Sequence, residues 1–175
     1  RSRPPLSLNA RTVRTFEVQG IDVSRHQGEI DWRAVADSGV RFAWIKATEG
    51  GDHLDAAFRR NWTLAFANGV RRGAYHFVHW CRRAEAPAAW FVANVPADPG
   101  ALPPVLDVEW NPQSRTCPRK ISREAALAEM RTILAAMQRA YGKRPIVYTS
   151  VDFYRDVIAG DLHEYPMWVR SVKAY

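Results

Sequence analysis

Strand and helix signals alternate along this chain, which predicts an α/β fold built on a mostly parallel, barrel-like sheet. Three observations carry that reading. Six short apolar runs are separated by stretches of helical periodicity, the pattern produced by right-handed crossovers between parallel strands. No Gly-rich phosphate turn follows the first run, and Gly50-Gly51 after the second lacks nucleotide-loop spacing, so a doubly wound nucleotide-binding sheet is disfavoured. Polar residues gather just after the runs end, at Asp22, Lys46, Glu49, His76, Asp107, Glu109 and Thr149. In a parallel barrel that rim is where chemistry is built.

Residues 1–19 are polar and basic, lack the apolar core of a secretion signal, and read as a linker before a domain at 20–175. A strand is predicted over 18–23, followed by a polar turn at 24–29. Asp31 can cap a short helix over 32–38, which Gly39 ends. The second strand spans 41–46, with bulk from Phe42, Trp44 and Ile45. Over 55–68, Phe58, Trp62, Ala65 and Phe66 recur at three- and four-residue intervals and Gly69 provides the stop, which predicts a helix. A third strand at 72–78 precedes a helix at 84–94 with Pro87 in its first turn, where a missing N–H costs little. A Pro-rich loop at 96–104 leads into an acid-bearing strand. Ser122 caps the longest helix, which runs through Tyr141 to a Gly142 stop. Strands at 144–149 and 166–169 follow, separated by a short helix at 152–159.

The acid-bearing stretch is the most informative. It reads Leu102-Pro103-Pro104-Val105-Leu106-Asp107-Val108-Glu109-Trp110. Residues two apart on a strand face the same way, with Cα atoms roughly 6.5 Å apart. Asp107 and Glu109 should therefore converge while Leu106 and Val108 stay with the hydrophobic layer. Crowded carboxyls divide protons unequally, and cleavage of an acetal uses both states: an acid for the leaving oxygen and an anion beside the developing charge. Taken alone, the pair also fits two solvated acids or a metal site. Asp22 likewise fits a turn former, and Lys46 an ordinary ion pair. His76, at a strand end, reads as hydrogen-bonded structure and is left out of the acid–base roles.

At 175 residues with 47% hydrophobic content, one domain and one core are expected. Seven Trp residues offer flat faces suited to sugar rings as well as bulk for the core. A net charge of +7 predicts attraction to polyanions. The basic residues are scattered and no nucleic-acid motif occurs, so an acidic polymer such as a bacterial cell wall is favoured over nucleic acid. No apolar run is long enough to cross a bilayer. Cys81 and Cys117 both follow strands and would share a rim. A bridge would close a loop of about 36 residues and contribute roughly 3–4 kcal/mol; the other reading is two free thiols.

Several motifs stand in order: Gly20-Ile21-Asp22-Val23-Ser24 with Gln27-Gly28, Asp31-Trp32, Ile45-Lys46-Ala47-Thr48-Glu49-Gly50, Gly73-Ala74-Tyr75-His76-Phe77, Val105-Leu106-Asp107-Val108-Glu109 and Tyr148-Thr149-Ser150. Each is weak alone. As an ordered set they resemble glycoside hydrolase family 25, the Chalaropsis-type lysozymes or N-acetylmuramidases, over residues 20–175. The resemblance implies an irregular TIM-like β/α barrel that hydrolyses the β-1,4 bond between N-acetylmuramic acid and N-acetylglucosamine. It implies Glu109 as general acid. Asp107 would act beside it, steering the 2-acetamido group or stabilising the charged intermediate, and Asp22 would set the electrostatics and bind substrate. Tyr75 and Tyr148 would line the groove, Lys46 and Glu49 would support it, and Trp110 is also assigned to substrate. No metal or cofactor is expected.

Members of that family continue past the strand at 166–169 with a further strand, a Trp-Gln-Tyr-like segment and a late Asp. The C-terminal closing elements of the barrel are therefore expected to be missing from this chain. The expected partner is the glycan strand of peptidoglycan, met by a monomer with no nucleic acid and no stable membrane insertion. The expected location is secreted or periplasmic, with tethering through a segment upstream of residue 1 left open. One rival reading is a non-catalytic cell-wall-binding module with a degenerate or incomplete site. Another is a chitin-directed barrel hydrolase, disfavoured because no further Asp precedes Asp107 among Pro103, Pro104, Val105 and Leu106.

Overall fold

The computed structural model describes residues 17–170; residues 1–16 of the expected linker and the last five residues lie outside it. Six strands run parallel in the order β1-β2-β4-β5-β6-β7, with β3 set antiparallel against β2. The strands are β1 (Gln19–Val23), β2 (Val40–Glu49), β3 (His53–Leu54), β4 (Arg71–Phe77), β5 (Val105–Val108), β6 (Ile146–Ser150) and β7 (Met167–Arg170). The helices are α1 (Trp32–Asp37), α2 (Phe58–Ala67), α3 (Glu85–Asn94), α4 (Arg123–Tyr141) and α5 (Val151–Phe153), the last continuing as a π turn over Tyr154–Ile158. Among the described residues β1 and β7 are the two ends of the sheet, so the result is a curled half-barrel. No described helix is long and apolar enough to cross a membrane.

Local chemistry explains where the elements begin and end. The Asp31 side chain accepts from the Ala34 amide, and the Ser122 hydroxyl accepts from the Ala125 amide. Each satisfies one of the amides that a helix start leaves without a backbone partner. Gly142 ends α4 in the left-handed region at φ 64°, which costs glycine little. Along α4, Leu127, Met130, Leu134 and Met137 are buried at three- and four-residue spacing, so one stripe of the helix faces the sheet. They join Trp32, Phe58, Phe91, Leu106 and Phe153 in the layer between sheet and helices. Each such side chain contributes roughly 1.5–3 kcal/mol on burial.

Several elements differ from the sequence reading, β2 among them, which runs over Val40–Glu49 and so beyond the expected 41–46. The helix expected from 55 starts at Phe58 because Asp55 is held outside it. Its amide donates to the Ala47 carbonyl of β2, and its carboxylate accepts from the Arg25 and Ala57 amides. The short strand β3 is an addition, since two residues carry no readable period. The acid strand is confined to Val105–Val108, because Pro103 and Pro104 have no N–H to pair with β4. Cys81 and Cys117 are bridged with Cα atoms 5.9 Å apart, tying the loop after β4 to the loop after β5.

Candidate active site

Strand alternation and register decide what lies on the concave face. In β2 the buried Ala43, Ile45 and Ala47 alternate with Phe42, Trp44 and Lys46. The register sets Asp22 beside Trp44, Lys46 beside Tyr75, Tyr75 beside Val105, Asp107 beside Tyr148, and Tyr148 beside Trp168. These positions form one belt across the sheet. A cavity of about 280 Å³ opens there, lined by Asp22, Trp44, Tyr75, Val105, Asp107, Glu109, Tyr148, Trp168 and Arg170. Its walls are aromatic: the Trp44 and Trp168 rings lie 5.3 Å apart, and Tyr148 meets Trp168 edge-on at 4.9 Å. Trp44 is fixed by a 3.0 Å hydrogen bond from its indole N–H to the Pro103 carbonyl. Gly73 makes room for it, since a Cβ there would stand 2.5 Å from the indole nitrogen.

The acids are placed unequally. Asp107 is 8% exposed, and its Oδ1 is buried with no hydrogen-bond partner among the described residues. Burial, and then the neighbouring Glu109 charge, push its carboxyl well above the usual range, while Lys46 and Arg170 pull the other way. Glu109 lies one residue beyond the end of β5 and accepts a 2.8 Å hydrogen bond from Arg170 Nη2 at its Oε2. Its backbone carbonyl accepts from the Trp80 indole at 2.9 Å. Burial thus favours the protonated form of Asp107, while the Arg170 guanidinium stands at Glu109. Asp22 is also raised, chiefly by burial, with its own backbone amide and Arg170 opposing. Burial raises the Tyr75 phenol well above its ordinary value, aided by Asp107 and Asp22, and raises Tyr148 to about 12. Both tyrosines are therefore neutral hydroxyl donors at physiological pH.

The glycosyl hydrolases family 25 profile matches residues 21–175. The chain belongs to glycosyl hydrolase family 25. This family 25 chain is 40% identical over 172 residues to YegX of Escherichia coli K12, an alignment covering 95% of the chain and 61% of YegX. It is 36% identical over 166 residues to Lysozyme M1 of Streptomyces globisporus, covering 89% of the chain and 55% of that protein. The chain thus spans little more than half the length of these curated relatives. Among solved structures it superposes on a family 25 glycosyl hydrolase from Bacillus anthracis with a TM-score of 0.85 at 36% identity, covering 91% of this chain and 73% of that one.

Of the residues that the sequence assigns to this family 25 site, Asp22, Asp107, Glu109, Tyr75 and Tyr148 line the cavity together. Lys46, Glu49 and Trp110 do not. Lys46 Nζ lies 2.6 Å from Glu49 Oε2, and His79 Nε2 lies 3.0 Å from Glu49 Oε1. His79 first, and Lys46 after it, hold the Glu49 carboxyl well below its usual range against the effect of burial. Glu49 faces a second cavity of about 370 Å³ that reaches Cys81 and Cys117. Trp110 turns away to pack on Phe153 at 4.7 Å and Trp80 at 5.8 Å, and its indole donates to Asp156. His76 is fully buried against Thr48 at 2.7 Å, and burial drops it to about 3, so it is neutral structure. Trp44, Trp168 and Arg170 join the site without having been singled out by the sequence reading. The available signal is the alternation Trp168-Val169-Arg170, which repeats the spacing of Asp107-Val108-Glu109 on another strand end.

Burial of Asp107 has a consequence for stability. Its folded value lies above the unfolded one, so over a window beginning near about pH 4 the native state keeps a proton that the unfolded chain has lost. Stability contributed by this group is therefore present below that window and lost as the pH rises through it. Asp107→Asn removes the titration at nearly equal size. The variant is expected to gain melting temperature relative to wild type between pH 4 and pH 7; a difference that stays constant across that range would refute the assignment.

Proposed function

We propose that this chain is a peptidoglycan hydrolase, a muramidase cleaving the β-1,4 bond between N-acetylmuramic acid and N-acetylglucosamine. The observation that carries the reading is the convergence of Asp107 and Glu109 on one aromatic-walled cavity in a chain of this family. In this reading Glu109 gives its proton to the glycosidic oxygen as that bond breaks. Asp107, two positions earlier on the same face, becomes the anion that stabilises the developing positive charge or steers the substrate's acetamido group. Asp22 completes the acidic floor, Tyr75 and Tyr148 donate hydroxyls, and Trp44 and Trp168 supply the faces on which sugar rings stack.

Residues 20–175 form the catalytic domain in this reading and residues 1–19 a basic linker. The protein acts as a monomer on glycan strands in a secreted or periplasmic setting, where a segment upstream of residue 1 would supply any tether to a membrane. The net charge of +7 favours approach to an acidic polymer. The names of relatives such as Lysozyme M1 support the same substrate class. The test is mass spectrometry of purified peptidoglycan after digestion. Fragments ending in reducing N-acetylmuramic acid are expected. Reducing N-acetylglucosamine would reassign the bond, and binding without new reducing ends would select the wall-binding module instead.

A further inference from the structure

Among the described residues lining the cavity, Arg170 is the one cation. It ends β7, on the same face as Trp168, and reaches across the sheet to the β5 acid. The contact is one-pronged: Nη2 bonds Glu109 Oε2 at 2.8 Å, while the buried Nε finds no partner among the described residues. A guanidinium can engage a carboxylate with two parallel bonds, so this one is held by part of its capacity, and its side chain is 39% exposed among the described residues. The Glu109 backbone carbonyl accepts from the Trp80 indole, which fixes the strand end from which the carboxylate projects.

We infer that Arg170 is a positioning residue that clamps the Glu109 side chain and must be turned aside by the entering sugar before Glu109 can act as an acid. The inference rests on the hydrolase reading, which gives Glu109 that role. The charged and titratable groups that share the cavity with the pair are Asp22 from β1, Tyr75 from β4, Asp107 beside Glu109 and Tyr148 from β6, while Lys46 from β2 reaches Asp107 electrostatically. Arg170 opposes the raised values of Asp22 and Asp107, and its own guanidinium is held in the charged form by Glu109, Tyr148 and Asp107 against burial. Once the guanidinium swings away, Glu109 loses its counter-charge, takes up a proton from water and can give it to the glycosidic oxygen. The two carboxyls titrate as a pair, so the readout belongs to the dyad.

The test compares pH profiles of wild type, Arg170→Met and Arg170→Lys on a defined peptidoglycan oligomer. The profile of kcat/KM reports the free protein and that of kcat reports the complex. An adjacent opposite charge lowers a carboxyl by about 1–3 units. Arg170→Met should therefore move the alkaline limb of kcat/KM upward by about one unit or more while the kcat limb stays in place. Arg170→Lys, which keeps the charge, should hold the wild-type limb. An unmoved kcat/KM limb in Arg170→Met, or equal movement of both limbs, overturns the clamp. Carbon NMR titration of Glu109 in the free proteins tests the same shift without turnover: its midpoint must rise in Arg170→Met. Absence of turnover by the wild type at every pH would instead overturn the hydrolase reading, and this inference with it.

Discussion

Glu109→Gln is expected to abolish release of reducing ends from peptidoglycan while leaving the melting temperature within a degree or two of wild type, on the order of the error in such a scan. Losing a general acid typically costs 10²–10⁴-fold in rate, roughly. Glutamine keeps the size of the side chain and an oxygen that can still accept from Arg170, and the Trp80 bond goes to the backbone, which the substitution does not touch. A fold-neutral, activity-null variant is therefore the outcome expected from the proposed role of Glu109. Turnover near that of wild type would remove Glu109 from the chemistry, whatever the shape of the cleft.

The second large effect concerns stability. The bridge between Cys81 and Cys117 spans 36 residues and ties two rim loops that also meet through Trp80, on the Glu109 carbonyl and the Trp110 ring. The loop after β5 is organised mainly by the Ser114 hydroxyl, which accepts from the Thr116 and Cys117 amides. Cys81→Ser with Cys117→Ser is expected to cost about 3–4 kcal/mol through the larger conformational freedom of the unfolded chain. For a domain of this size that lowers the melting temperature by on the order of 10 °C. Because Glu109 lies just upstream of the tethered loop, the variant should also lose some kcat/KM, less steeply than stability. A double-serine variant that melts with the wild type would show that the bridge constrains nothing the packing has not already constrained.

The parts of this molecule that can be drawn from the sequence are those governed by neighbours along the chain. The Asp31 and Ser122 caps, the Gly142 stop and the apolar stripe of α4 each depend on residues within a few positions of one another. The Asp107-Val108-Glu109 alternation announces two acids on one face for the same reason. Helix α2 begins later than its periodicity suggests because Asp55 is bonded to Arg25, 30 residues away. Trp110 leaves the cleft because its indole meets Asp156, 46 residues away, and its ring meets Phe153. Arg170 carries no local sign of its role because its partner lies 61 residues upstream. Lys46 and Glu49 look like cleft residues by position, yet the register shift in β2 between Lys46 and Thr48 and the nearby His79 draw them into their own ion-pair cluster.

Period-two and period-3.6 patterns, caps and prolines act over a few residues, so the primary structure alone specified an alternating α/β chain, a parallel sheet and two acids at a strand end. Which aromatic rings wall the cavity, which carboxyl keeps the proton and which cation answers the other depended on strand register and burial. Those are set only when strands far apart in sequence are brought side by side, because desolvation and charge pairing are properties of the assembled cleft and of no single segment.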